Sequence, residues 1–247
     1  METLQPMAAS PWPRGRAGLL AGQCPVCHAW TRGRWCAPCR QQYTVRHTRC
    51  SRCALRVPAG VAVCGECLLD PPPFGATTCV ADYAFPWDRL IGRFKYAGAH
   101  GLAALLADEL AQALQPLAPA TRPDAVLPLP LSDHRLAERG YDQAWELARH
   151  LARRLGLPAW PQALQRRFGT PPQAEAGRAA RLRQLSGAFQ VDARAAPLLQ
   201  GRHLALVDDV MTTGATAREA ASALLAAGAA RVDLWVLART PSPAGAA

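Results

Sequence analysis

Apolar residues in this chain fall into short continuous runs and helix-spaced segments, separated by stretches rich in proline, glycine and arginine. Cys79 to Phe85 alternates like a strand, and Leu102 to Leu114 has the period of an amphipathic helix. Ala125-Val-Leu-Pro-Leu-Pro is a second short strand, interrupted by prolines at its C-terminal end, and the residues from Leu131 lead into a helix through Leu155. Leu204-Ala-Leu-Val reads as a buried parallel strand whose apolar run stops at Asp208 and Asp209. A small-residue turn then feeds a helix over Ala215–Ala227, and Arg231 to Ala238 supplies a last strand. Strands alternating with helices predict an α/β fold, a parallel sheet flanked by helices with right-handed crossovers.

Proline punctuation sets the expected organisation. Asp70-Pro-Pro-Pro-Phe is a stiff linker, because consecutive prolines join neither a helix nor a central strand. Residues 1–20 are expected to form a mobile tail, 21–70 a small cysteine-rich domain and 71–76 the linker. The α/β domain then occupies 77–240, followed by a tail over 241–247. The 247 residues suffice for one α/β domain of ordinary size plus a small module. No run approaches the roughly 18 apolar residues of a membrane span. No charged start precedes a long apolar stretch, so the expected location is the cytoplasm.

The cysteines add a second chemistry. Cys24-x-x-Cys27, Cys36-x-x-Cys39, Cys50-x-x-Cys53 and Cys64-x-x-Cys67 use eight of the nine cysteines. Reduced thiols in a cytoplasmic chain favour metal over disulfides, and two such pairs complete a tetrahedral four-cysteine zinc site. Consecutive pairing puts Cys24, Cys27, Cys36 and Cys39 on one zinc and Cys50, Cys53, Cys64 and Cys67 on another; interleaved pairing is also open. Four thiolates per ion leave no coordination position for catalysis, so both sites are expected to be structural. His28 and His47 then read as surface histidines, and the leftover Cys79 as a buried thiol.

The formal net charge is +10, carried almost wholly by arginine, with Lys95 the only lysine. Such a surface favours polyanions, nucleic acid or phosphorylated metabolites. From Met1 through Asp70 nine arginines face three acids, with Trp30, Trp35 and Tyr43 interleaved. That composition suits stacking on unpaired bases, and equally a miniature aromatic core with solvated arginines.

The most specific chemistry lies at Leu204 to Thr216. Backbone N–H groups at Thr212, Thr213, Gly214, Ala215 and Thr216, at the positive end of a helix dipole, suit a phosphate monoester. Asp208 and Asp209 can accept hydrogen bonds from a diol and sit near magnesium, which prefers oxygen ligands. A sugar 5-phosphate with free 2- and 3-hydroxyls fits both halves. Arg135 and Arg139, before Gly140, can bring guanidinium groups to a pyrophosphate. Lys95 is either a further contact to the diphosphate or an exposed structural lysine. The connection from Arg166 to Phe189 carries five arginines and no clean period. A long basic connection of this kind is functional, as a lid over the substrate, or disordered.

The thirteen residues from Leu204 to Thr216 resemble the phosphoribosyl pyrophosphate (PRPP) signature of type I phosphoribosyltransferases. In order along the chain, the paired CxxC knuckles, Pro-Leu-Pro followed by Arg139-Gly-Tyr-Asp-Gln-Ala, Thr170-x-x-Gln173 to Gly187-Ala-Phe189, and this loop resemble the ComF family. That group, also called ComFC or GntX, joins a double zinc ribbon to a phosphoribosyltransferase domain. The family usually carries asparagine where Asp142 and Gln184 stand.

The resemblance implies that Asp208 and Asp209 bind the ribose hydroxyls and that the loop, Val210 and Met211 included, binds PRPP with magnesium. Thr212 to Thr216 would hold the 5-phosphate. It further implies a role in natural transformation, with single-stranded DNA and the uptake machinery as partners. Phosphoribosyl transfer would use Asp208, Asp209 and Arg139 as catalytic groups, the arginine aiding the departing pyrophosphate. No C-terminal hood for a nucleobase acceptor is apparent in the sequence. Two readings therefore stand side by side, a PRPP-binding accessory of DNA uptake and an active transferase with an unidentified acceptor.

Overall fold

The computed structural model describes residues 22–115, 121–167 and 187–242. It comprises two compact units, the first ending at Gln41 and the second starting at Gln42.

In the first unit, β1 (Gly22–Gln23) pairs antiparallel with β2 (Trp30–Thr31), and the turn between them carries Cys24 and Cys27. The Cys24 amide bonds the Ala29 carbonyl at 2.9 Å, and His28 closes the turn with a left-handed φ of 60°. Helix α1 (Ala37–Tyr43) follows Cys36 directly, so Cys36 and Cys39 lie one helical turn apart. The unit boundary falls within this helix.

The second unit begins with a further knuckle over Cys50 to Cys53 and the short α2 (Gly65–Leu69). Next come β3 (Thr77–Asp82), α3 (Trp87–Tyr96), α4 (Leu102–Leu114) and β4 (Ala125–Pro128). After α5 (Asp133–Arg139) and α6 (Gln143–Leu155), β5 (Leu164–Arg166) pairs antiparallel with β6 (Phe189–Val191). The chain closes with α7 (Ala196–Leu199), β7 (His203–Met211), α8 (Ala215–Ala226) and β8 (Arg231–Arg239).

Four strands form a wholly parallel sheet in the order β3-β8-β7-β4. The expected α/β architecture is therefore present. Leu204, Ala205, Leu206 and Val207 of β7 have no exposed surface, as a central parallel strand covered on both faces requires. Side chains alternate across such a sheet. Ala125 and Leu127 of β4, Leu204 and Leu206 of β7 and Val232, Leu234 and Val236 of β8 share a core with Ala217, Ala220, Ala221 and Leu224 of α8. Cys50, Cys53, Cys67 and Phe74 belong to that same core, so the second knuckle helps to cover this face of the sheet.

Helix α6 packs on β4 and β7, and α4 packs on α6. The buried positions of α6, Ala144, Leu147, Ala148, Leu151 and Ala152, recur at helical spacing and make one apolar stripe. Asp142 caps its N-terminus by accepting from the Trp145 amide at 3.0 Å. Among the described residues, no helix is long and apolar enough to cross a membrane.

Candidate functional site

Strand β7 does not stop with its apolar run. It carries Asp208 and Asp209 inside the sheet, with Asp208 opposite Val236 and Met211 opposite Arg239 of β8. This extra length anchors both acids in paired backbone before the turn begins.

The turn itself depends on Gly214, which adopts φ 78° and ψ 2° immediately before α8. That left-handed conformation is easy only for glycine, and a Cβ there would lie 2.7 Å from the Met211 Cε. Thr212 and Thr213 are exposed, and the Thr213 hydroxyl accepts from the Ala215 amide at 3.3 Å. The first-turn amides of α8 have no carbonyl one turn earlier to bond, and no acid stands in that turn to compete for them. A loop presenting N–H groups at the end of a parallel strand is therefore present where the sequence placed it.

Around the acids, the structure gathers charged residues from two other segments, Lys95 on α3 and Asp142 at the start of α6. Lys95, on α3, is largely buried, and its Nζ lies 2.8 Å from Asp209 Oδ1. Of the two sequence readings of this lysine, an exposed structural role is excluded. Asp209 Oδ2 is buried and has no hydrogen-bond partner among the described residues. Asp208 is pushed up to about 8, chiefly by burial and then by the Asp209 charge, against the opposing pull of the Asp209 amide and Lys95. Burial likewise raises Asp142, with its capping amides opposing and Asp209 adding to the rise. Asp142 acts as a helix cap here, so its carboxylate is committed to backbone N–H groups.

Arg139 ends α5, where Gly140 reverses the chain with φ 74°. Its guanidinium stacks 4.9 Å over the Tyr96 ring, and Nη2 donates to the Tyr96 hydroxyl at 3.1 Å. The Arg139 Nε and Nη1 atoms are buried without partners among the described residues. Arg135 is exposed, one turn back on the same helix; burial, and after it the Arg135 charge, lowers the pKa of Arg166 on β5.

Two neighbours in sequence were not singled out by sequence reasoning. Tyr141 packs its ring edge-on against His100 and Phe94, with centroids 4.3 and 5.8 Å away, while its buried hydroxyl has no partner among the described residues. Gln143 is 2% exposed and its Oε1 also has no partner among the described residues. The Arg-Gly-Tyr-Asp-Gln run was visible as a motif, but nothing in it marked which polar atoms would be buried.

The sequence-predicted loop residues divide by atom. Met211 is buried, and its contribution to the loop is its backbone carbonyl, which accepts from Thr240 N–H at 3.0 Å and from Arg239. Val210 pairs with Ala238 in the sheet. Thr170, Gln173 and Gln184, and most of the basic connection between β5 and β6, lie outside the described residues.

The cysteines assemble by consecutive pairs, not by interleaving. Cys24, Cys27, Cys36 and Cys39 form one group and Cys50, Cys53, Cys64 and Cys67 the other, with all sulfurs of a group within 4.8 Å of one another. Cys27 and Cys36 Sγ are 3.5 Å apart, as are Cys53 and Cys64 Sγ. Zinc bonded to four thiolates at about 2.3 Å separates its sulfurs by about 3.8 Å, so both groups fit that ion.

Burial raises the Cys50 thiol, but the amides of Cys53, Cys64 and Arg52 outweigh it and bring it to about 7. The Cys64 amide donates to Cys50 Sγ at 3.3 Å. Neither His28 nor His47 joins a group, and both are exposed. Cys79 is half-buried, donates to the Ala81 carbonyl at 2.9 Å and is raised by burial to about 11. Of the interleaved aromatics, Trp35 is 7% exposed and fills a core position, whereas Trp30 is 73% exposed.

Residues 142–246 match the phosphoribosyl transferase domain family. The chain is 35% identical over 214 residues to the DNA utilization protein YhgH of Escherichia coli K12, covering 84% of this chain and 92% of that protein. It is 30% identical over 207 residues to Competence protein F of Haemophilus influenzae, covering 83% and 90% respectively. The Bacillus subtilis glutamine PRPP amidotransferase superposes on 59% of this chain and 30% of its own, with a TM-score of 0.40 and 19% identity, too distant to bear on function. On the two near-full-length relatives, the chain belongs to the ComF family and carries a phosphoribosyltransferase domain.

Proposed function

We propose that this ComF-family chain binds PRPP with magnesium at the end of β7 and serves the handling of single-stranded DNA in natural competence. The observation that carries the ligand assignment is the Gly214 turn that follows β7, a strand whose Asp209 Oδ2 is buried and lacks a partner among the described residues. Buried polar groups are ordinarily satisfied, so such a carboxylate oxygen supports a ligand bearing hydroxyls, and the loop's N–H groups suit its anionic oxygens. In this reading Thr212 to Thr216 hold the 5-phosphate through backbone N–H groups. Asp208 and Asp209 accept from the ribose hydroxyls. Arg139, with Arg135 and Lys95, faces the diphosphate.

Magnesium would neutralise diphosphate charge near the two carboxylates. The competence role rests on the names of the relatives, and the basic first seventy residues are its physical counterpart.

A second reading, active phosphoribosyl transfer, is favoured by the unpartnered nitrogens of Arg139, which suit a departing pyrophosphate. Titration calorimetry of PRPP with magnesium into the zinc-loaded protein tests the binding, with saturable heat expected for the parent and none for Asp208→Asn/Asp209→Asn. Pyrophosphate release on adding candidate acceptors separates the second reading from the first. Salt-sensitive single-strand binding without turnover supports the first alone.

A further inference from the structure

Arg239, the last residue of β8, is 6% exposed, and among the described residues its guanidinium donates to backbone carbonyls. Its Nε donates to the Cys53 carbonyl at 3.0 Å. Its Nη1 reaches the Met211 carbonyl at 3.2 Å, the Thr212 carbonyl, and the Thr240 carbonyl at 2.7 Å. One side chain therefore joins a knuckle of the second cysteine group to the turn that follows β7.

The direction of these bonds matters. In a planar trans peptide the carbonyl and the following N–H point opposite ways. With the Met211 and Thr212 carbonyls drawn to Arg239, the Thr212 and Thr213 N–H groups are turned away from it, to the ligand side of the loop. The guanidinium also offsets the negative ends of those peptide dipoles and places a buried positive charge behind the phosphate position.

The other end of the link is equally constrained. The Cys53 carbonyl belongs to a turn closed by Ala54 N–H on Cys50 O at 2.9 Å and Cys50 N–H on Leu55 O at 2.7 Å, with Ala54 at a left-handed φ of 58°. Metal held by Cys50, Cys53, Cys64 and Cys67 would lock that turn, because thiolates from both sides of it share the ion.

We propose that Arg239 is a positioning residue that couples the second cysteine group to the phosphate loop, so that zinc at Cys50, Cys53, Cys64 and Cys67 sets the readiness of Thr212 and Thr213 to bind an anion. The coupling rests on the PRPP reading for its ligand, but the link itself is legible without one. Binding linkage is reciprocal, so ligand at the loop must also retain zinc at the second group.

The test uses the full-length zinc-loaded chain with Arg239→Gln and Arg239→Lys. Backbone order parameters of Thr212 to Gly214, read without ligand, are expected to fall in Arg239→Gln from the rigid range near about 0.85 to below about 0.6. Those of β7 and α8 are expected to hold. Arg239→Lys, which keeps the charge but not the fork, is expected to fall between. PRPP with magnesium is expected to bind Arg239→Gln about tenfold or more weakly.

In a Cys36→Ser/Cys39→Ser background, which leaves only the second group to report, PRPP is expected to slow zinc loss to a chelator in the parent sequence and not in Arg239→Gln. Unchanged loop order parameters in Arg239→Gln, or an equal loss of order across the sheet, overturn the coupling. If the parent chain fails to bind PRPP, the ligand assignment falls, and the order parameters still decide the link.

Discussion

Replacing Gly214 by alanine separates the conformation of the phosphate loop from the stability of the fold. Gly214 sits at φ 78°, ψ 2°, and the added Cβ would meet only the mobile end of Met211 at 2.7 Å. The main cost is therefore conformational, about 1–2 kcal/mol for a non-glycine residue held in the left-handed region. Gly156, at the C-terminus of α6 with φ 63° and its nearest neighbour 4.0 Å from the built Cβ, is a matched control away from the site.

Both variants should lose about 1–2 kcal/mol in urea unfolding if the turn is held throughout. If the loop of Gly214→Ala relaxes instead, the same energy appears as a competent fraction reduced by a factor of about 5–30, and the apparent Kd for PRPP rises by that factor. The assay is paired, with urea denaturation and PRPP titration on each variant. Gly156→Ala should bind as the parent does. Gly214→Ala that keeps the parent's stability, and so has let its loop relax, yet binds PRPP as tightly as Gly156→Ala would refute the claim that this turn holds the 5-phosphate.

Further outcomes follow from the buried charges and the thiols. Lys95→Met leaves Asp209 buried without its cation and should destabilise the chain by about 3 kcal/mol in denaturant unfolding, whereas Lys95→Met/Asp209→Leu should recover part of that loss. Asp208 has a folded pKa near 8, above its unfolded value, so the folded state binds the extra proton. Its stabilising contribution is therefore fully present below about pH 4 and is lost as pH rises through 8, and unfolding curves at pH 5.5 and 8.5 should show that loss shrink in Asp208→Asn. Metal analysis should find two zinc ions per chain, falling to one in Cys36→Ser/Cys39→Ser, and a single ion in the parent chain would contradict the paired cysteine groups.

The legible parts of this chain were those written in local pattern. The strand, acidic pair, glycine turn and helix around Asp208 were readable because a run of apolar residues, a left-handed glycine and a capless helix start are all neighbours in sequence. Consecutive CxxC pairs closed into two groups for the same reason. Arg239 was invisible, since its bond to the Cys53 carbonyl spans 186 positions and depends on β8 ending beside the knuckle. Membership of Cys50, Cys53 and Cys67 in the sheet's core is equally non-local. Lys95 remained ambiguous because burial, not spacing, decides between a surface lysine and a partner for Asp209. The stretch around Leu90 carried no assigned element, and it forms α3, whose buried face is Trp87, Leu90, Ile91 and Phe94.

The most direct test of the central claim is the amide NMR spectrum of the zinc-loaded chain titrated with PRPP and magnesium. The account predicts saturable shifts concentrated at Thr212 to Thr216 and at the Arg139 side chain, absent in Asp208→Asn/Asp209→Asn. Shifts confined to other parts of the sheet, or none at millimolar ligand in a folded, zinc-replete sample, would contradict it.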